Sequence, residues 1–570
     1  MVLDSTEYNN KMLEILNERE QYEVLHKSTA DSVNRDLKKL LAYFVKNGKI
    51  NRKEMEALIT QEPCVPKIYG FPKIHKTGVP LRPIVDCTNS VTQKLGRFLN
   101  NLLQPLADNS AIKLKNSAQF CEKIRSLNLE KDEIMGSFDV VQLFPSVTVE
   151  TALTAIEWAL EQYNSWEECT ALTKREILRL CAICLRTSEL VYDSIIYRQK
   201  KGLPMGGSLS PIVAELTMQM FENVFFNECS LLGKMPKLWV RFVDDIFTVG
   251  NQLLFDEWLV LCNAHSVDLQ FTMELERDNK LPFLDVEIER KLDGSLSLSV
   301  YRKPMATDRV LPFDSGHHNS HKWGVVKNLV RRAITICSDS FTLENELCKL
   351  KNILKVGGYP KRGVERCISQ VKKSWNDQLT KKSAPVTSSS LHEGGENEAV
   401  VCNRWGLTYH PNIFEEIKRK VKQFDIELVA GNYANLKRQL THVKDVTPLQ
   451  EVKGAVYKLN CKDCDTVYVG ETGQKLTSRI YRHQLAGKNK DVEHYPLVEH
   501  CLNTGHSTDW SNVEVLTSEN NRTKRKLMES FFIKRQDVAV NRYDGLVHHD
   551  IFNFILSDVL TPPKKGNTSF

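Results

Sequence analysis

Two adjacent carboxylates between two apolar runs constrain this chain more than any other feature. Asp244 and Asp245 interrupt the segment LWVRFVDDIFTV, residues 238–249. Apolar, β-favouring residues on both sides predict two strands joined by a tight turn, with the acids at the turn. Neighbouring carboxylates repel each other, and a divalent cation is the usual compensation. A turn that is acidic by chance remains the alternative interpretation.

A third acid favours the metal interpretation. Residues 134–139 predict another short strand that ends at Asp139, and Thr148 is a suitable N-cap for a helix beyond it. Three carboxylates at strand ends suit two Mg²⁺ ions, one that activates an attacking oxygen and one that holds a leaving phosphate. Phosphoryl transfer requires little else beyond positioning and positive charge.

Five motifs then occur in a fixed order along the chain. They are YGFPKIHK (residues 69–76), Asp139 with Phe144 five residues later, GLPMGGSLSP (202–211), FVDD (242–245) and YRKP (301–304). As a set, they resemble the palm motifs of reverse transcriptases, and in particular those of Penelope-like retroelements. The resemblance extends from about residue 64 to about residue 543.

This resemblance implies a multidomain α+β protein. A right-hand polymerase of fingers, palm and thumb is expected, followed by a connector and a small α/β nuclease domain with an inserted zinc site. The predicted segments are an N-terminal helical region (1–60), fingers and palm (61–310), a thumb (311–380), a linker of low hydrophobicity (381–398), a basic connector (399–450), the nuclease (451–560) and a tail (561–570).

A basic loop precedes the first catalytic strand. Residues 63–85 are rich in Pro, Gly, Lys and His. Ammonium and guanidinium groups there suit a triphosphate, because they offset the negative charge that grows during transfer. By resemblance, Lys73 and Arg82 bind the incoming nucleotide, and Lys76 is a further candidate. A solvated basic loop is the alternative.

Nucleotide choice is assigned to two other segments. By resemblance, the ring of Phe144 lies against the C2′ face of the sugar and excludes a 2′-hydroxyl; an ordinary core aromatic residue is the alternative. Glycines in GLPMGGSLSP let the backbone approach a base pair, so Met205 and Gly206 are assigned to the nucleotide site. The chain departs from relatives here, because Met205 stands where viral enzymes carry Gln and Gly207-Ser208 replaces Ser-Pro.

The polymerase is predicted to end in a hairpin and a helical thumb. Residues 281–288 and 296–301 alternate as strands and resemble a primer-grip hairpin, in which Asp285 is interpreted as structural. Residues 317–375 have helical spacing and many basic side chains, which suits a thumb that grips an RNA–DNA duplex. In the connector, residues 414–424 predict an amphipathic basic helix, for which DNA docking is our hypothesis.

The C-terminal part carries a second ordered set of polar residues. Two tyrosines lie eleven residues apart on apolar segments that predict a hairpin, and an arginine and a histidine share one face of a predicted helix. A glutamate lies on a later predicted helix, and an asparagine follows in a turn. The set is Tyr457, Tyr468, Arg479, His483, Glu529 and Asn541.

This order resembles GIY-YIG endonucleases. In that family a glutamate holds one metal ion, a tyrosine deprotonates water, and an arginine stabilises the phosphorane. The resemblance assigns Glu529 to the metal, Tyr457 with Tyr468 to the base, Arg479 to the phosphorane, and His483 and Asn541 to assisting roles. Ala455 and Val469 depart from the name motif, but both suit a hairpin. Ordinary strand tyrosines are the alternative.

Four residues inside the same region have the pattern of zinc ligands. Cys461 and Cys464 form a Cys-x2-Cys pair within the predicted hairpin loop, and His500 and His506 follow. Two thiolates and two imidazoles suit tetrahedral, structural Zn²⁺. Penelope-like endonucleases carry such a set. His494 is the rival ligand, and reduced thiols without a metal are the alternative.

Composition permits these assignments without deciding them. The 570 residues are 41% hydrophobic and 26% charged, as in ordinary globular protein, and no apolar run is long enough for a bilayer. The N-terminus has no pattern of a secretory signal, so fifteen cysteines predict reduced thiols rather than a disulfide framework. A net charge of +6 permits nucleic-acid binding.

The sequence therefore predicts an RNA-directed DNA polymerase joined to a DNA-nicking endonuclease. The nick would expose a 3′-hydroxyl that primes copying of bound RNA. Expected partners are template RNA, target DNA, the RNA–DNA hybrid and deoxynucleotides, with two Mg²⁺ ions in the polymerase, one in the nuclease, and no membrane. A genomic target implies a nuclear location. A catalytically silent derivative and a telomere-associated role are the alternatives.

Overall fold

The computed structural model divides the chain into two compact units, residues 1–444 and 445–570, each with its own core. The structure describes residues 3–61, 63–74, 76–163, 165–264, 268–383, 403–411, 413–431, 452–493, 495–519, 521–536 and 538–542. Most of the predicted linker, the end of the connector, residues 543–560 of the predicted nuclease and the predicted tail lie outside these residues.

The strands of residues 1–444 form separate sheets. In chain order they are β1 (Tyr22–Leu25), β2 (Lys67–Pro72), β3 (Leu81–Asp86), β4 (Glu133–Val140), β5 (Glu189–Tyr192), β6 (Ile195–Gln199), β7 (Leu238–Phe242), β8 (Asp245–Asn251), β9 (Phe271–Leu275), β10 (Lys280–Phe283), β11 (Val286–Arg290), β12 (Leu296–Val300), β13 (Asn403–Thr408) and β14 (Ile426–Gly431). The sheet orders are β1-β6-β5-β2-β3, β7-β8-β4-β9, β10-β11-β12 and β13-β14.

Helices cover these sheets. In chain order they are α1 (Ser5–Leu16), α2 (Ala30–Lys46), α3 (Arg52–Leu58), α4 (Gln93–Asp108), α5 (Ser117–Ile124), α6 (Leu143–Ser146), α7 (Val149–Gln162), α8 (Lys174–Arg186), α9 (Ser210–Leu231), α10 (Phe255–Ala264), α11 (Asn319–Ile336), α12 (Ser340–Val356), α13 (Lys361–Ser383) and α14 (Ile413–Val421). Thr148 caps α7 by accepting a hydrogen bond from the Thr151 amide, so the helix start predicted there is confirmed.

The five-stranded sheet differs from expectation at its edge. Residues 1–60 are mainly helical, as predicted, but β1 pairs antiparallel with β6, from Tyr22 opposite Gln199 to Leu25 opposite Ile196. Tyr22 is buried. A four-residue strand whose partner lies far along the chain leaves little local periodicity to detect.

The four-stranded antiparallel sheet is packed on both faces. On one face, Phe221 of α9 stacks on Phe271 of β9, with ring centroids 4.7 Å apart. On the other, Phe247 of β8 contacts Phe283 of β10, with centroids 5.6 Å apart. Aromatic contacts of this kind add to the area that they bury. The strands that carry the acids are therefore held rigidly between a helical layer and a second sheet.

The three-stranded sheet corrects the predicted hairpin. The strand expected over residues 281–288 is two strands, β10 and β11, because Phe283 pairs with Val286 and the chain reverses between them, where Leu284 has φ +55°. Asp285 lies in this turn and forms an ion pair of 2.7 Å with Arg332 of α11. Its structural interpretation is consistent with that contact.

The predicted helical segment 317–375 is confirmed as α11, α12 and α13. These helices enclose a core of their own, which includes Val330, Leu350 and Ile368. Farther along, β13, α14 and β14 form a parallel β-α-β unit in which Phe414 is buried. The helix predicted over residues 414–424 is confirmed as α14 and a 3₁₀ turn.

Residues 445–570 form a small sheet with helices. The elements are β15 (Ala455–Asn460), β16 (Val467–Thr472), α15 (Leu476–Asn489), α16 (Pro496–Thr504), β17 (Glu514–Ser518) and α17 (Arg522–Lys534). The sheet order is β16-β15-β17, and both pairs are antiparallel. The predicted tyrosine hairpin is confirmed as β15 and β16.

The described residues also give the state of the cysteines and the character of the longer helices. The structure joins none of the fourteen described cysteines in a disulfide. No described helix has the length and apolar character that crossing a bilayer would require.

Two glycines in the four-stranded sheet make room for aromatic rings. A Cβ atom at Gly136 of β4 would lie 2.2 Å from Cε1 of Phe255, and one at Gly250 of β8 would lie 2.4 Å from Cη2 of Trp258. Both rings are buried, so neither can move into solvent. Any side chain at these positions would overpack the interface between the sheet and α10.

We therefore expect Gly136→Ala to lower the free energy of unfolding by about 1–3 kcal/mol. Urea denaturation of the full chain measures the change. Gly324→Ala is the matched control, because Gly324 lies inside α11 with nothing within 4 Å of the added Cβ, and it should stabilise by up to about 1 kcal/mol. Equal stability of the two variants would contradict the packing argument.

Candidate active sites and metal centre

A two-residue turn presents the acid pair. β7 and β8 pair antiparallel up to Phe242 opposite Asp245, so the predicted tight turn is confirmed. It consists of Val243 and Asp244, however, rather than of the two acids. Val243 has φ +60°. A positive φ at the first turn position is that of the type II′ hairpin turn, whose twist matches the strands. Asp244 thus lies at the turn, and Asp245 begins β8.

The third acid lies on the neighbouring strand. Asp139 of β4 is the direct cross-strand partner of Asp245, and the amide of Val140 donates to the carbonyl oxygen of Asp244 at 3.3 Å. Directly opposed residues of antiparallel strands have Cβ atoms about 4.5–5.5 Å apart. The structure therefore brings together the three carboxylates that the sequence singles out.

Burial and mutual repulsion raise the pKa values of two of these acids. Burial raises the pKa of Asp245 to about 6, and the Asp244 and Asp139 carboxylates contribute to the rise. Burial and Asp244 also raise the pKa of Asp139. Lys303 opposes the rise at Asp245, and Lys76 opposes it at Asp139. A cluster of this kind is suited to divalent cations, which remove the mutual repulsion.

The predicted basic loop gathers its cations. Lys73 and Lys76 lie in the β2–β3 connection, where the Lys73 amide donates to the Pro80 carbonyl at 2.8 Å, and Arg82 lies on β3. Partial burial and the charges of Arg82 and Lys76 lower the pKa of Lys73. The positive charges of Lys73, Lys76 and Arg82 repel one another, and a bound polyanion such as a triphosphate would offset this repulsion.

The glycine-rich loop fits tightly between two backbone segments. Gly206 has φ +117°, and a Cβ atom there would lie 2.2 Å from the Val85 carbonyl oxygen; at Gly202, with φ +88°, it would lie 2.6 Å from the Pro145 carbonyl oxygen. The Val85 amide donates to the Met205 carbonyl at 2.8 Å. Only glycine combines this conformation with such an approach.

Phe144 lies on α6, close to this loop. Its ring is partly buried against the main core, and its carbonyl accepts a hydrogen bond of 2.6 Å from the Leu203 amide. The sequence-predicted nucleotide residues Phe144, Met205 and Gly206 are thus connected through backbone contacts. Partial burial leaves some of the Phe144 side chain exposed to solvent.

In residues 445–570, three predicted residues form one hydrogen-bonded group. The Tyr457 hydroxyl lies 2.7 Å from Nε2 of His483, and Nε of Arg479 donates to the Tyr457 oxygen at 3.1 Å. Arg479 and His483 share one face of α15, as predicted. Tyr468 of β16 contacts both rings, with centroids 6.4 Å from Tyr457 and 5.2 Å from His483.

The protonation states in this group follow from burial. Burial, with the charge of Arg479, lowers the pKa of His483 to about 3, so the imidazole is neutral. Burial raises the pKa of Tyr457 well above its usual value, and the Tyr468 hydroxyl adds to the rise. A neutral imidazole can accept a hydrogen bond from the Tyr457 hydroxyl, and the Arg479 guanidinium can stabilise a tyrosinate oxygen at this position.

Glu529 of α17 is the carboxylate of this group. Burial raises its pKa to about 7, and the Glu471 carboxylate contributes. Glu471 follows the second tyrosine motif on β16 and forms an ion pair of 2.6 Å with Arg525. Because the Glu529 carboxyl is partly protonated near pH 7, a metal ion that binds it there would displace a proton.

Asn541 has a different position from its predicted companions. Its side-chain oxygen accepts a hydrogen bond of 2.9 Å from the Val469 amide, and its side-chain nitrogen donates to the Val469 carbonyl. The Val540 amide also donates to the Val467 carbonyl at 3.0 Å. Asn541 therefore ties the segment after α17 to β16, which is a structural arrangement.

The four predicted zinc ligands come together. The ligand atoms of Cys461, Cys464, His500 and His506 all lie within 4.8 Å of one another. Sγ of Cys461 is 3.7 Å from Nδ1 of His506, and Sγ of Cys464 is 3.5 Å from Nε2 of His500. Tetrahedral zinc, with Zn–S about 2.3 Å and Zn–N about 2.0 Å, implies sulfur–nitrogen separations of about 3.5 Å.

The two thiols of this cluster differ in acidity, because burial raises the pKa of Cys461 while hydrogen bonds lower that of Cys464. Hydrogen bonds from Thr466 lower the pKa of Cys464 to about 6, which favours the thiolate that metals bind. The Asp463 amide lies 3.5 Å from Sγ of Cys461, and the Asp463 carboxylate accepts from the Ser507 amide at 2.7 Å. His494, the rival ligand, lies outside the described residues.

Sequence reasoning missed three neighbours of the candidate sites. Lys303 was available in the YRKP motif, and Glu471 follows Gly470 of the tyrosine motif directly. Tyr495 had no local signal: its ring lies 5.7 Å from the Arg479 guanidinium carbon and 5.1 Å from the His483 ring. Tertiary packing alone brings it to the site.

One family model and several solved structures are similar to parts of this chain. A family model described as an animal helix-turn-helix domain matches residues 309–369, which include α11 and α12. No curated protein matches the chain.

The chain is similar to telomerase from Candida albicans in complex with a TWJ fragment of telomeric RNA, at 16% identity and TM-score 0.38 over 59% of each chain. It is similar to apo telomerase from Candida tropicalis, at 14% identity and TM-score 0.34 over 62% of this chain and 66% of that one. It is also similar to the quiescent BmCPV RNA-dependent RNA polymerase, at 13% identity and TM-score 0.33 over 57% and 29%. TM-scores this low carry no argument about function, which rests on the geometry above.

The raised pKa of Glu529 predicts a pH-dependent stability. A carboxyl with a pKa of about 7 in the folded chain and a usual value of 4.5 binds more protons when folded. The contribution of the Glu529 carboxyl to the free energy of unfolding is therefore complete at pH values below its unfolded pKa. It is lost as pH rises through the folded pKa. Without divalent ions, Glu529→Gln should unfold at a higher temperature than the wild type at about pH 8, and the gap should narrow by about pH 5.

Calorimetry measures both transitions. Glu493→Gln is the control, because Glu493 is exposed in the same unit, and it should show no such pH-dependent gap. A Glu529→Gln gap that stays constant with pH would show that the carboxyl is ionised in both states.

Proposed function

We propose that residues 1–444 are an RNA-directed DNA polymerase of the Penelope-like type. The observation that carries the proposal is the meeting of Asp139, Asp244 and Asp245 on adjoining strands, where burial and mutual repulsion favour divalent cations. The basic β2–β3 loop supports it, because the charge of Lys76 acts on Asp139. This loop and the acids together provide the opposite charges that a metal-bound triphosphate requires.

Each group has a defined task in the proposed reaction. Two Mg²⁺ ions held by the three carboxylates would supply Lewis-acid activation of the primer hydroxyl and of the leaving phosphate. Lys73 and Arg82 neutralise the phosphates of the nucleotide, and Gly206 lets the backbone approach the base pair. Phe144 selects the sugar through its ring.

Asp244→Asn tests the polymerase. An amide cannot supply the charge that the metals require, so primer extension on an RNA template should fall at least about a hundredfold. DNA nicking should be unchanged, because the nuclease residues are separate. Asp278→Asn, in another turn with a positive φ of 52°, is the control. Extension above about a hundredth of wild type would contradict the assignment.

Phe144→Ala tests sugar selection. Removing the ring makes room for a 2′-hydroxyl, so the preference for deoxynucleotides over ribonucleotides should fall about tenfold or more, the scale of steric discrimination in a pocket. Competing incorporation measures the ratio. Phe341→Ala, which removes an exposed ring of α12, is the control. An unchanged ratio would mean that Phe144 only fills the core.

We further propose that residues 445–570 are a GIY-YIG endonuclease that nicks DNA. The hydrogen-bonded group of Tyr457, His483 and Arg479 beside Glu529 supports this proposal. Glu529 would hold one Mg²⁺ ion, which supplies electrophilic activation of the phosphodiester. Neutral His483 holds Tyr457 in place by accepting a hydrogen bond from its hydroxyl. Tyr457 in its deprotonated form, with its oxygen stabilised by the Arg479 guanidinium, would take the proton of the attacking water, and Arg479 would also stabilise the phosphorane.

The two activities together define target-primed reverse transcription. The nuclease would expose a 3′-hydroxyl in genomic DNA, and the polymerase would extend it along bound RNA. A nuclear location is part of the proposal. Supplying template RNA with intact duplex should yield cDNA covalently joined to the target. Extension from pre-nicked duplex alone would favour extension of existing ends, and no extension would favour a catalytically silent derivative.

We also propose that Cys461, Cys464, His500 and His506 hold a structural zinc ion. Four protein ligands leave no position for water, so the ion would join the β15–β16 loop to the segment after α15. Sulfur–nitrogen distances of 3.5 and 3.7 Å fit such a centre.

Cys464→Ser and Glu529→Ala separate the structural metal from the catalytic one. Cys464→Ser should lose zinc, lower the melting temperature of the nuclease unit and weaken nicking indirectly, with primer extension unchanged. Glu529→Ala should stop nicking while zinc stays bound. Elemental analysis decides, with Cys501→Ser as control, because Cys501 is a neighbouring thiol outside the cluster. Stoichiometric zinc in Cys464→Ser would refute the assignment.

A further inference from the structure

A buried arginine lies beneath the catalytic turn. Arg241 is on β7, three residues before Asp244, and its side chain is fully buried. All five of its N–H groups have acceptors. They are Glu222 Oε1 for Nε at 2.8 Å, Glu215 Oε2 and the Val243 carbonyl for Nη1 at 3.1 and 3.0 Å, and Glu215 Oε1 and Glu222 Oε2 for Nη2 at 3.1 and 3.0 Å.

Stability alone does not account for this arrangement. Removing a guanidinium and two carboxylates from water is costly, and well-packed apolar residues often serve as well or better. Trp239 also donates to Glu222, at 3.3 Å, so an indole is committed to the same network. Four of the five N–H groups of Arg241 donate to Glu215 and Glu222 of α9, and the fifth donates to the Val243 carbonyl. That fifth bond is the one that reaches the catalytic turn.

Val243 requires such support. It is β-branched and has φ +60° in a position where hairpin turns place glycine. A left-handed conformation costs a residue of this kind on the order of 1–3 kcal/mol and persists only where the surroundings enforce it. Val243 is 41% exposed, so its own side chain is not locked by packing. The bond from Arg241 fixes the Val243 carbonyl, and with it the peptide that leads into Asp244.

The other end of the network reaches the nucleotide loop. Glu215 and Glu222 are seven residues apart on α9, two turns on one face, which lets one guanidinium bind both. α9 begins at Ser210, directly after the loop that contains Gly202 and Gly206. The guanidinium therefore connects the helix that follows the loop to the turn that carries the acids.

We propose that Arg241 is a positioning residue that holds the strained Val243 turn in the geometry in which Asp244, Asp245 and Asp139 bind metal together. The proposal deepens the polymerase assignment and rests on it. Lysine cannot replace the arginine, because a single ammonium offers its donors from one atom and cannot span two carboxylates and a carbonyl.

The experiment uses the full chain and Mn²⁺ as a spectroscopic probe. Electron paramagnetic resonance gives the Mn²⁺ affinity of the palm site, taken as the binding that Asp244→Asn removes. Primer extension gives kcat and the nucleotide KM, and calorimetry gives the melting temperature. The variants are Arg241→Lys alone and combined with Val243→Gly, and Ser194→Gly in the same background is the matched control. Ser194, with φ +65° in the β5–β6 turn, also adopts the left-handed region.

Arg241→Lys should weaken Mn²⁺ binding and lower kcat, each by about tenfold or more, because small displacements of reacting groups are costly. The nucleotide KM should change by less than about twofold, since the groups that bind the triphosphate are untouched. Adding Val243→Gly to Arg241→Lys should raise both the Mn²⁺ affinity and kcat at least about threefold, because glycine adopts the positive φ without the bond from Arg241. Ser194→Gly should restore neither.

Three results would overturn the proposal. The first is a fall in melting temperature by Arg241→Lys with Mn²⁺ affinity and kcat within about twofold of wild type. The second is no recovery with Val243→Gly, and the third is equal recovery with Ser194→Gly.

Two provisions keep the test decisive. If Arg241→Lys does not fold, Glu215→Gln and its Val243→Gly double variant replace it, with smaller changes expected in the same directions. If the wild type extends no primer, the polymerase assignment fails, and Mn²⁺ affinity alone still decides whether Arg241 holds the turn.

Discussion

Repulsion among three carboxylates is the constraint on which the rest of the first unit depends. Asp139 is exposed and Asp244 and Asp245 are half-buried, but they lie on β4 and the β7–β8 hairpin, whose neighbouring residues pack into two cores. The packed strands therefore keep the three carboxylates close together. Rings of α9 and β10 hold the strands in place. The folding energy of two hydrophobic cores is thus used to keep like charges together until cations bind.

The second unit solves the reverse problem. Burial lowers the pKa of His483 and raises that of Tyr457, so both are neutral near pH 7, and it raises the pKa of Glu529 to about 7, so this carboxyl is partly protonated there. Arg479 is the one member that stays charged in this group. If this unit is the proposed nuclease, a cation that binds Glu529 would displace its proton, and negative charge would then develop beside Arg479.

Local patterns predicted whatever depends on local backbone chemistry. The acidic turn, the Thr148 cap, the tyrosine hairpin and the α11–α13 helices follow from periodicity and capping, and the Cys-x2-Cys pair follows from ligand spacing. Prediction stopped where a residue's role depends on a distant partner. β1, which pairs with β6, and the burial of Arg241 against α9 are of this kind, since an arginine in a strand ordinarily indicates a solvent-facing position. The reversal at Leu284 is local, but neither Leu284 nor Asp285 is the glycine or asparagine that usually signals such a turn.

If residues 1–444 are the proposed polymerase, the bond between the Leu203 amide and the Phe144 carbonyl has a consequence for copying accuracy. At 2.6 Å, with no room for a side chain at Gly202, it joins the sugar-facing segment to the base-pair-facing loop as one body. Displacement of either segment is transmitted to the other. Errors in sugar and errors in base are then expected to rise together, so a lineage of copies could not drift in one kind of fidelity while it conserved the other.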